Sequence, residues 1–303
     1  MDRRLPAEPL AGERGVSLLE PLGAELSVPR SAEHDLRDPA AAREALAGAE
    51  VVLHLAANVG GIGFNLANPG PLARENLAMG LNVFEAAREH GVAKLVVAGT
   101  VCSYPLAPPT IPFVEGEIWA GAPEGSNAPY GNAKRMLLAL SAAYRDQYGL
   151  DSCAPVLANL YGPGDNFDPA GSHVIAAAVR RYVEAAEAGA AEVVMWGSGE
   201  PSREFLHVRD GARALLLAAE RLWGSEPVNV GTGVETTIRE LASQVPALAG
   251  FEGETSWDRS RPDGQPRRVL DVSRARELLG FEAEVPLAEG LRETVEGHRA
   301  RAG

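Results

Sequence analysis

Cysteine is scarce, long apolar runs are missing and positive charge is outweighed, and each shortage removes a class of function. The only cysteines are Cys102 and Cys153, too few for a disulfide framework and without metal-ligand spacing. Reduced thiols and no metal site are therefore expected, with cysteine serving as chemistry or as packing. No run reaches about 18 uncharged apolar residues, and Met1-Asp2-Arg3-Arg4-Leu5-Pro6 carries no apolar secretory core. These lacks predict a cytoplasmic protein with no membrane partner. A formal net charge of -13 comes with no basic block to neutralise phosphates, which argues against nucleic acid as a partner. A small anionic ligand can still be held by a few local arginines.

What is present is a chain of 303 residues with 46% hydrophobic side chains, enough to bury a large core in one or two domains. Apolar β-branched runs alternate with segments of helical period, as βαβ units in a parallel sheet require. Val51-Val52-Leu53-His54-Leu55 and Leu95-Val96-Val97 read as buried strands. Between them, Leu77 to Glu89 reads as a helix with Leu81, Val83 and Phe84 among its inward positions. A long helix from Tyr130 to Tyr148 ends at Gly149, a suitable cap. Further on, a helix is expected from His173 to Glu187 and strands at Val193–Trp196 and Val228–Val230.

Tyr130 and Lys134 stand four apart on the long helix, so both project from one face and the ammonium can sit beside the phenol. Bringing a phenol from about 10 toward neutral pH takes roughly 1.36 kcal/mol per unit, which a close cation can supply. That pairing predicts a tyrosine acid/base. Thr100 closes the strand Lys94–Thr100 at the sheet edge where α/β ligands usually bind.

Several blocks together are similar to the extended short-chain dehydrogenase/reductases (the NAD-dependent epimerase/dehydratase family), and among them to the GDP-L-fucose synthase type. They are His54-Leu55-Ala56-Ala57-Asn58-Val59-Gly60-Gly61-Ile62, Gly99-Thr100-Val101-Cys102-Ser103-Tyr104-Pro105 and Pro129-Tyr130-Gly131-Asn132-Ala133-Lys134. Later come Asn159-Leu160-Tyr161-Gly162-Pro163-Gly164-Asp165-Asn166-Phe167, Ser172-His173-Val174-Ile175, Trp196-Gly197-Ser198-Gly199 and Arg203-Glu204-Phe205-Leu206-His207-Val208. Asn229-Val230-Gly231-Thr232-Gly233 and Arg261-Pro262-Asp263-Gly264 complete the series.

The resemblance implies an α/β fold, a Rossmann-like doubly wound parallel sheet with a smaller C-terminal substrate lobe. It divides the chain into a dinucleotide domain at 1–158 with about 205–230, and a sugar-nucleotide lobe at 159–204 and 231–303. It implies an enzyme that epimerises C3 and C5 of a GDP-4-keto-6-deoxyhexose and reduces C4 with NADPH. Tyr130, Lys134 and Thr100 would serve the reduction, and Cys102 with His173 the proton transfers. NADP would meet Leu55, Ala56, Ala57, Lys134, Asn159, Asp35 and Leu36. The nucleotide of the substrate would meet Arg181, Trp196, Arg203 and Asp263. A homodimer through a helix pair beside the long helix is also implied. Read without the resemblance, Cys102 is a small buried hydrophobe and His173 a helix-start residue bonded to backbone.

The N-terminus departs from the pattern. Relatives open with a strand and a G-x-x-G-x-x-G turn whose amides hold the pyrophosphate. Here Leu5-Pro6-Ala7-Glu8-Pro9-Leu10 is a poor central strand. Ala11-Gly12-Glu13-Arg14-Gly15 keeps the first part of the turn, with Gly12, Arg14 and Gly15 as cofactor candidates, but the third glycine is missing. The first strand and turn are atypical or truncated. Glu25-Leu26-Ser27-Val28-Pro29-Arg30 can supply a second strand, with Arg30 suited to the 2'-phosphate of NADP. Two other readings stay open: a sugar-nucleotide 4-epimerase or 4-reductase without the C3/C5 steps, and a cofactor-poor pseudoenzyme that binds a sugar nucleotide or a protein partner.

Overall fold

The computed structural model describes residues 25–261 and 263–302. Gly12, Arg14 and Gly15 of the expected phosphate turn, with the first strand, lie outside them. The described chain runs α1 (Pro39–Ala45), β1 (Val51–His54), α2 (Ile62–Ala67), α3 (Pro69–His90), β2 (Lys94–Val97), β3 (Gly99–Thr100), α4 (Ala128–Tyr148), β4 (Ser152–Cys153), β5 (Pro155–Leu157) and β6 (Asn159–Tyr161). There follow α5 (Val174–Ala188), β7 (Glu192–Trp196), β8 (Ser202–Arg203), β9 (Phe205–His207), α6 (Val208–Arg221), β10 (Val228–Val230), β11 (Thr236–Thr237), α7 (Ile238–Ala249), β12 (Glu254–Asp258), α8 (Ser273–Leu279) and α9 (Leu287–Ala302).

β1 pairs parallel with β2, β2 with β4, β3 with β5, and β5 with β10. Because β2 and β3 are separated only by Ala98, and β4 and β5 only by Ala154, these pairs form one parallel ladder broken at two residues. Side chains alternate across it: Leu95 and Val97 pack in a core with Val83, Phe84 and Leu137, while Val96 packs in another with Leu215, Val228 and Leu279. The period of two in a strand sends neighbours to opposite faces, and both faces are covered by helices. This is the doubly wound arrangement.

α3 buries Leu72, Asn76, Met79, Gly80, Val83, Phe84 and Ala87, the three-and-four spacing of a single helical face. Leu81 is not among them; it is 46% exposed, because one residue past Gly80 the helix has turned about 100° away from the core. Gly80 lies so close to the Leu137 side chain that a Cβ would collide with it, which lets α3 and α4 approach. α4 ends at Gly149 with φ 71°, in the left-handed region glycine tolerates.

The strand expected at 25–30 is absent. Residues 25–30 have no strand structure and are mostly exposed, Pro29 has no N–H to give a ladder, and among the described residues β1 pairs with β2 alone. A turn follows, in which the Arg30 carbonyl accepts from the N–H groups of Glu33 and His34.

A second core joins Tyr161, Ile175, Val179, Tyr182, Met195, Leu241, Val245, Leu291 and Val295, drawn from β6, α5, β7, α7 and α9. Here β7 pairs parallel with β12, and β8 antiparallel with β11. Val272, Ala275, Leu279 and Phe281 return to the first core, so the C-terminal stretch is shared between the two. No helix among the described residues is long and apolar enough to cross a membrane.

Candidate active site

β3 delivers Thr100 to the end of the ladder, and the chain then turns through a short 3₁₀ helix, Val101–Ser103. The Thr100 hydroxyl oxygen caps it by accepting from the Cys102 N–H at 3.2 Å. Cys102, half-buried, is thereby held two residues from Thr100. α4 packs directly onto this turn. A Cβ at Gly131 would collide with the Cys102 carbonyl oxygen, the Ser103 hydroxyl donates to the Gly131 carbonyl at 3.4 Å, and Arg135 Nε donates to the Ser103 carbonyl at 2.5 Å.

Tyr130 and Lys134 project from the same face of α4 and are both buried. Burial, joined by the nearby Cys102, pushes the Tyr130 phenol above its ordinary value, and the adjacent Thr100 hydroxyl opposes the rise. The phenol is therefore protonated at neutral pH. The Lys134 ammonium lies 5.9 Å from the centre of the Tyr130 ring and donates to the Ala98 carbonyl at 3.0 Å. The break in the ladder at Ala98 makes that carbonyl available. Burial brings Lys134 down to about 8; in this arrangement Thr100, rather than Lys134, is the group that eases ionisation of the phenol.

His173 is the N-cap residue of α5. The preceding backbone meets the Gly60-Gly61 turn, where the Gly61 N–H donates to the Gly171 carbonyl at 3.0 Å and a Cβ on Gly61 would stand 2.5 Å from the Ser172 carbonyl oxygen. His173 is exposed as a residue, while desolvation of its ring, followed by the Arg268 charge, lowers its pKa. Arg268 is itself buried and donates from Nη1 to the Cys102 sulfur at 3.5 Å. Cys102 and His173 thus meet the field of one guanidinium.

A second group lies on the adjoining lobe. β7 alternates outward and inward, so Val193 and Met195 enter the core while Trp196 is 50% exposed. The Arg181 and Arg261 guanidiniums lie 5.1 Å and 4.9 Å from its ring centre, and Arg181 Nη1 donates to the Val194 carbonyl at 3.1 Å. Arg203 Nη1 donates to the Ser202 and Gln265 carbonyls at 2.7 and 2.6 Å. Burial and the neighbouring Arg268 lower Arg203 to about 10. The Asp263 carboxylate accepts from the Ser198 N–H and hydroxyl at 2.7 and 2.8 Å.

Comparison with known proteins bears on this arrangement. A sequence model described as the NAD dependent epimerase/dehydratase family matches residues 5–231. The chain belongs to that family. GDP-L-fucose synthase of Escherichia coli (strain K12) is 40% identical over 303 residues, covering 94% of each chain. Probable GDP-L-fucose synthase 1 of Oryza sativa subsp. japonica is 46% identical over 245 residues, 80% of this chain and 74% of that one. Among solved structures, a GDP-6-OMe-4-keto-L-xylo-heptose reductase from C. jejuni superposes with a TM-score of 0.90 at 26% identity, covering 96% and 95% of the two chains. A GDP-L-fucose synthetase from Naegleria fowleri bound to NADP gives 0.87 at 27% identity, covering 97% and 90%.

The structure sets Thr100 and Cys102 on one turn against the helix that bears Tyr130 and Lys134, places His173 in the field of the Arg268 that bonds Cys102, and pairs Arg181 with Trp196 and Arg203 with Asp263. Leu55, Ala56 and Ala57 follow the end of β1. The next residue, Asn58, is anchored to α3 by Asn76 Oδ1, which accepts from the Asn58 N–H at 3.0 Å. The Asn159 side chain donates to the Glu204 carbonyl at 2.8 Å. Asp35 is engaged by Arg37 Nε at 2.8 Å, whose Nη1 also reaches Glu75 at 3.2 Å, and the Leu36 carbonyl accepts from Asn82 at 2.9 Å. Sequence reading passed over Arg37, Arg261, Gln265 and Arg268. Arg261 opens one of the blocks of resemblance without having been given a role, and nothing in their local pattern marks Arg37, Gln265 and Arg268. Lysine was the better signal: Lys94 and Lys134 are the only two, and both are buried.

Proposed function

We propose that the chain is an enzyme of the GDP-L-fucose synthase type, which epimerises C3 and C5 of a GDP-4-keto-6-deoxyhexose and reduces C4 with NADPH. The observation that carries this reading is that Cys102 sits two residues from Thr100 on the turn packed against the helix of Tyr130, and that one guanidinium, Arg268, acts on both Cys102 and His173. A reductase without epimerisation has use for Thr100 and Tyr130 alone. The nearly end-to-end relative named as GDP-L-fucose synthase supports the reading.

Lys134 fits the cofactor. Its buried ammonium has a carbonyl acceptor and, among the described residues, no carboxylate, which suits the hydroxyls of a ribose. NADPH, when bound, supplies the hydride that C4 receives. Arg30, exposed in the turn near the start of the described chain, suits the 2'-phosphate; Asp35 and Leu36 would meet the adenine, Asn159 the nicotinamide end, and Leu55, Ala56 and Ala57 would also meet the cofactor. Tyr130 gives its proton to the C4 oxygen, for which burial keeps it protonated, and Thr100 turns its hydroxyl to the same oxygen. Cys102 and His173 remove and return protons at the carbons flanking the ketone. Arg203 and Arg181 hold the diphosphate, Trp196 offers a face to the base or ribose, and Asp263 accepts from hydroxyls.

Incubation with GDP-4-keto-6-deoxymannose and NADPH, followed by NMR of the product, tests the reading. Inversion at C3 and C5 together with a reduced C4 is expected. Reduction with both centres retained would make it a plain 4-reductase, and no turnover despite nucleotide binding would make it a pseudoenzyme.

A further inference from the structure

Arg268 is 5% exposed, and among the described residues it has no carboxylate partner. A buried guanidinium without a counter-ion is costly, so its surroundings ask for an explanation. Its Nε donates to Gln265 Oε1 at 3.0 Å, a neutral acceptor, and its Nη1 faces the Cys102 sulfur at 3.5 Å. Gln265 Nε2 donates in turn to the carbonyls of Pro105 and Leu106 at 3.0 and 2.9 Å. Arg268 and Gln265 therefore grip the segment that carries Cys102 from both ends, and the anion that Arg268 lacks is supplied when the sulfur gives up its proton.

We infer that Arg268 is a positioning residue for Cys102, holding the sulfur in place and pairing with its negative charge during proton transfer. This deepens the proposed function and rests on it. In the step concerned, the C–H bond beside the ketone breaks and an S–H bond forms. The electron pair passes into the enolate, whose oxygen is the former C4 carbonyl oxygen; His173, as its imidazolium, gives a proton to the opposite face, is left neutral and is recharged from solvent. With the proton on sulfur the ion pair is gone, and it re-forms when the thiol is discharged.

The test compares Arg268→Met, Arg268→Gln and Arg268→Lys with Cys102→Ala in the full chain. Arg268→Gln keeps polarity and bulk if the methionine variant folds poorly. Two readouts are taken: wash-in of solvent deuterium at C3 and C5 without reductant, and the rate at which iodoacetamide alkylates Cys102. Thiolate is the alkylated form, and Cys153, buried with its thiol raised to about 11, stays silent. Removing a hydrogen bond to a charged group costs roughly ten- to a hundredfold, so wash-in and alkylation should fall by that factor in the methionine and glutamine variants. Lysine should restore both to within a few-fold, while kcat for reducing an already epimerised sugar changes little. Unchanged alkylation, equal loss of exchange and reduction, or no rescue by lysine would overturn the inference. If Cys102→Ala exchanges at the wild-type rate, the proposed function fails instead, and alkylation still decides whether Arg268 acts on the sulfur.

Discussion

At the scale of single residues, the site sets two buried groups against their solvation. Tyr130 is pushed up and Lys134 down to about 8 by the same burial. For Lys134 the sign of the linkage is plain. The folded chain binds its proton more weakly than the unfolded chain, so below about 8 the buried charge opposes folding, and stability rises with pH from there to the ordinary lysine value. A shift of this size is worth roughly 3 kcal/mol. Lys134→Met should therefore raise the melting temperature at neutral pH while abolishing reduction, and an unchanged or lower melting temperature would show that the ammonium is better solvated than its burial implies. Tyr130→Phe should lower kcat for reduction by about 10²–10⁴-fold and leave GDP binding within a few-fold in a calorimetric titration. Near-wild-type turnover would remove Tyr130 from the acid's role.

The spacing of Tyr130 and Lys134 made that pair legible, because helical geometry alone places them on one face. Arg268 was not legible. Gln265 is only three residues away, but Cys102 is joined to Arg268 only through the packing of residues 263–268 against the 3₁₀ turn, and no local period reports a contact across so many residues. Leu81 failed for a smaller reason: apolar character near a helical face is not the same as lying on it.

Among the elements, the contact that matters most is between α4 and the turn that bears Cys102. Gly131 is there because a Cβ would meet the Cys102 carbonyl. Gly131→Ala is expected to destabilise the chain by about 1–3 kcal/mol, the usual cost of overpacking, and to displace the turn. Denaturant unfolding gives the first quantity, and iodoacetamide labelling of Cys102 in the folded variant reports the second. A neutral substitution would mean that the turn yields without loss. Alternating β and α patterns and Gly149 as a helix end follow from periodicity and capping. The expected strand at 25–30 does not, because a strand exists only with a neighbour to pair with, and a six-residue window cannot show whether one is within reach.

For the whole molecule, net charge and local charge have opposite signs. The chain carries -13 overall, yet Arg181 and Arg261 flank the Trp196 ring and Arg203 donates to the Asp263 carbonyl. A GDP diphosphate should bind there despite the overall repulsion, and more weakly as salt screens these charges. Calorimetry with GDP at low and high ionic strength should show the Kd rising with salt in the wild type and the dependence flattening in Arg203→Ala. A salt-independent Kd would place the nucleotide elsewhere.

The central claim is that one cleft joins epimerisation to reduction, and exchange without reductant tests it most directly. The protein is held with GDP-4-keto-6-deoxymannose in heavy water, with no NADPH, and deuterium at each sugar carbon is followed by NMR. The account predicts wash-in at C3 and C5 by the wild type, loss of that wash-in in Cys102→Ala and in His173→Ala, and its persistence in Tyr130→Phe. No wash-in by the wild type, or wash-in untouched by both Cys102→Ala and His173→Ala, would contradict it.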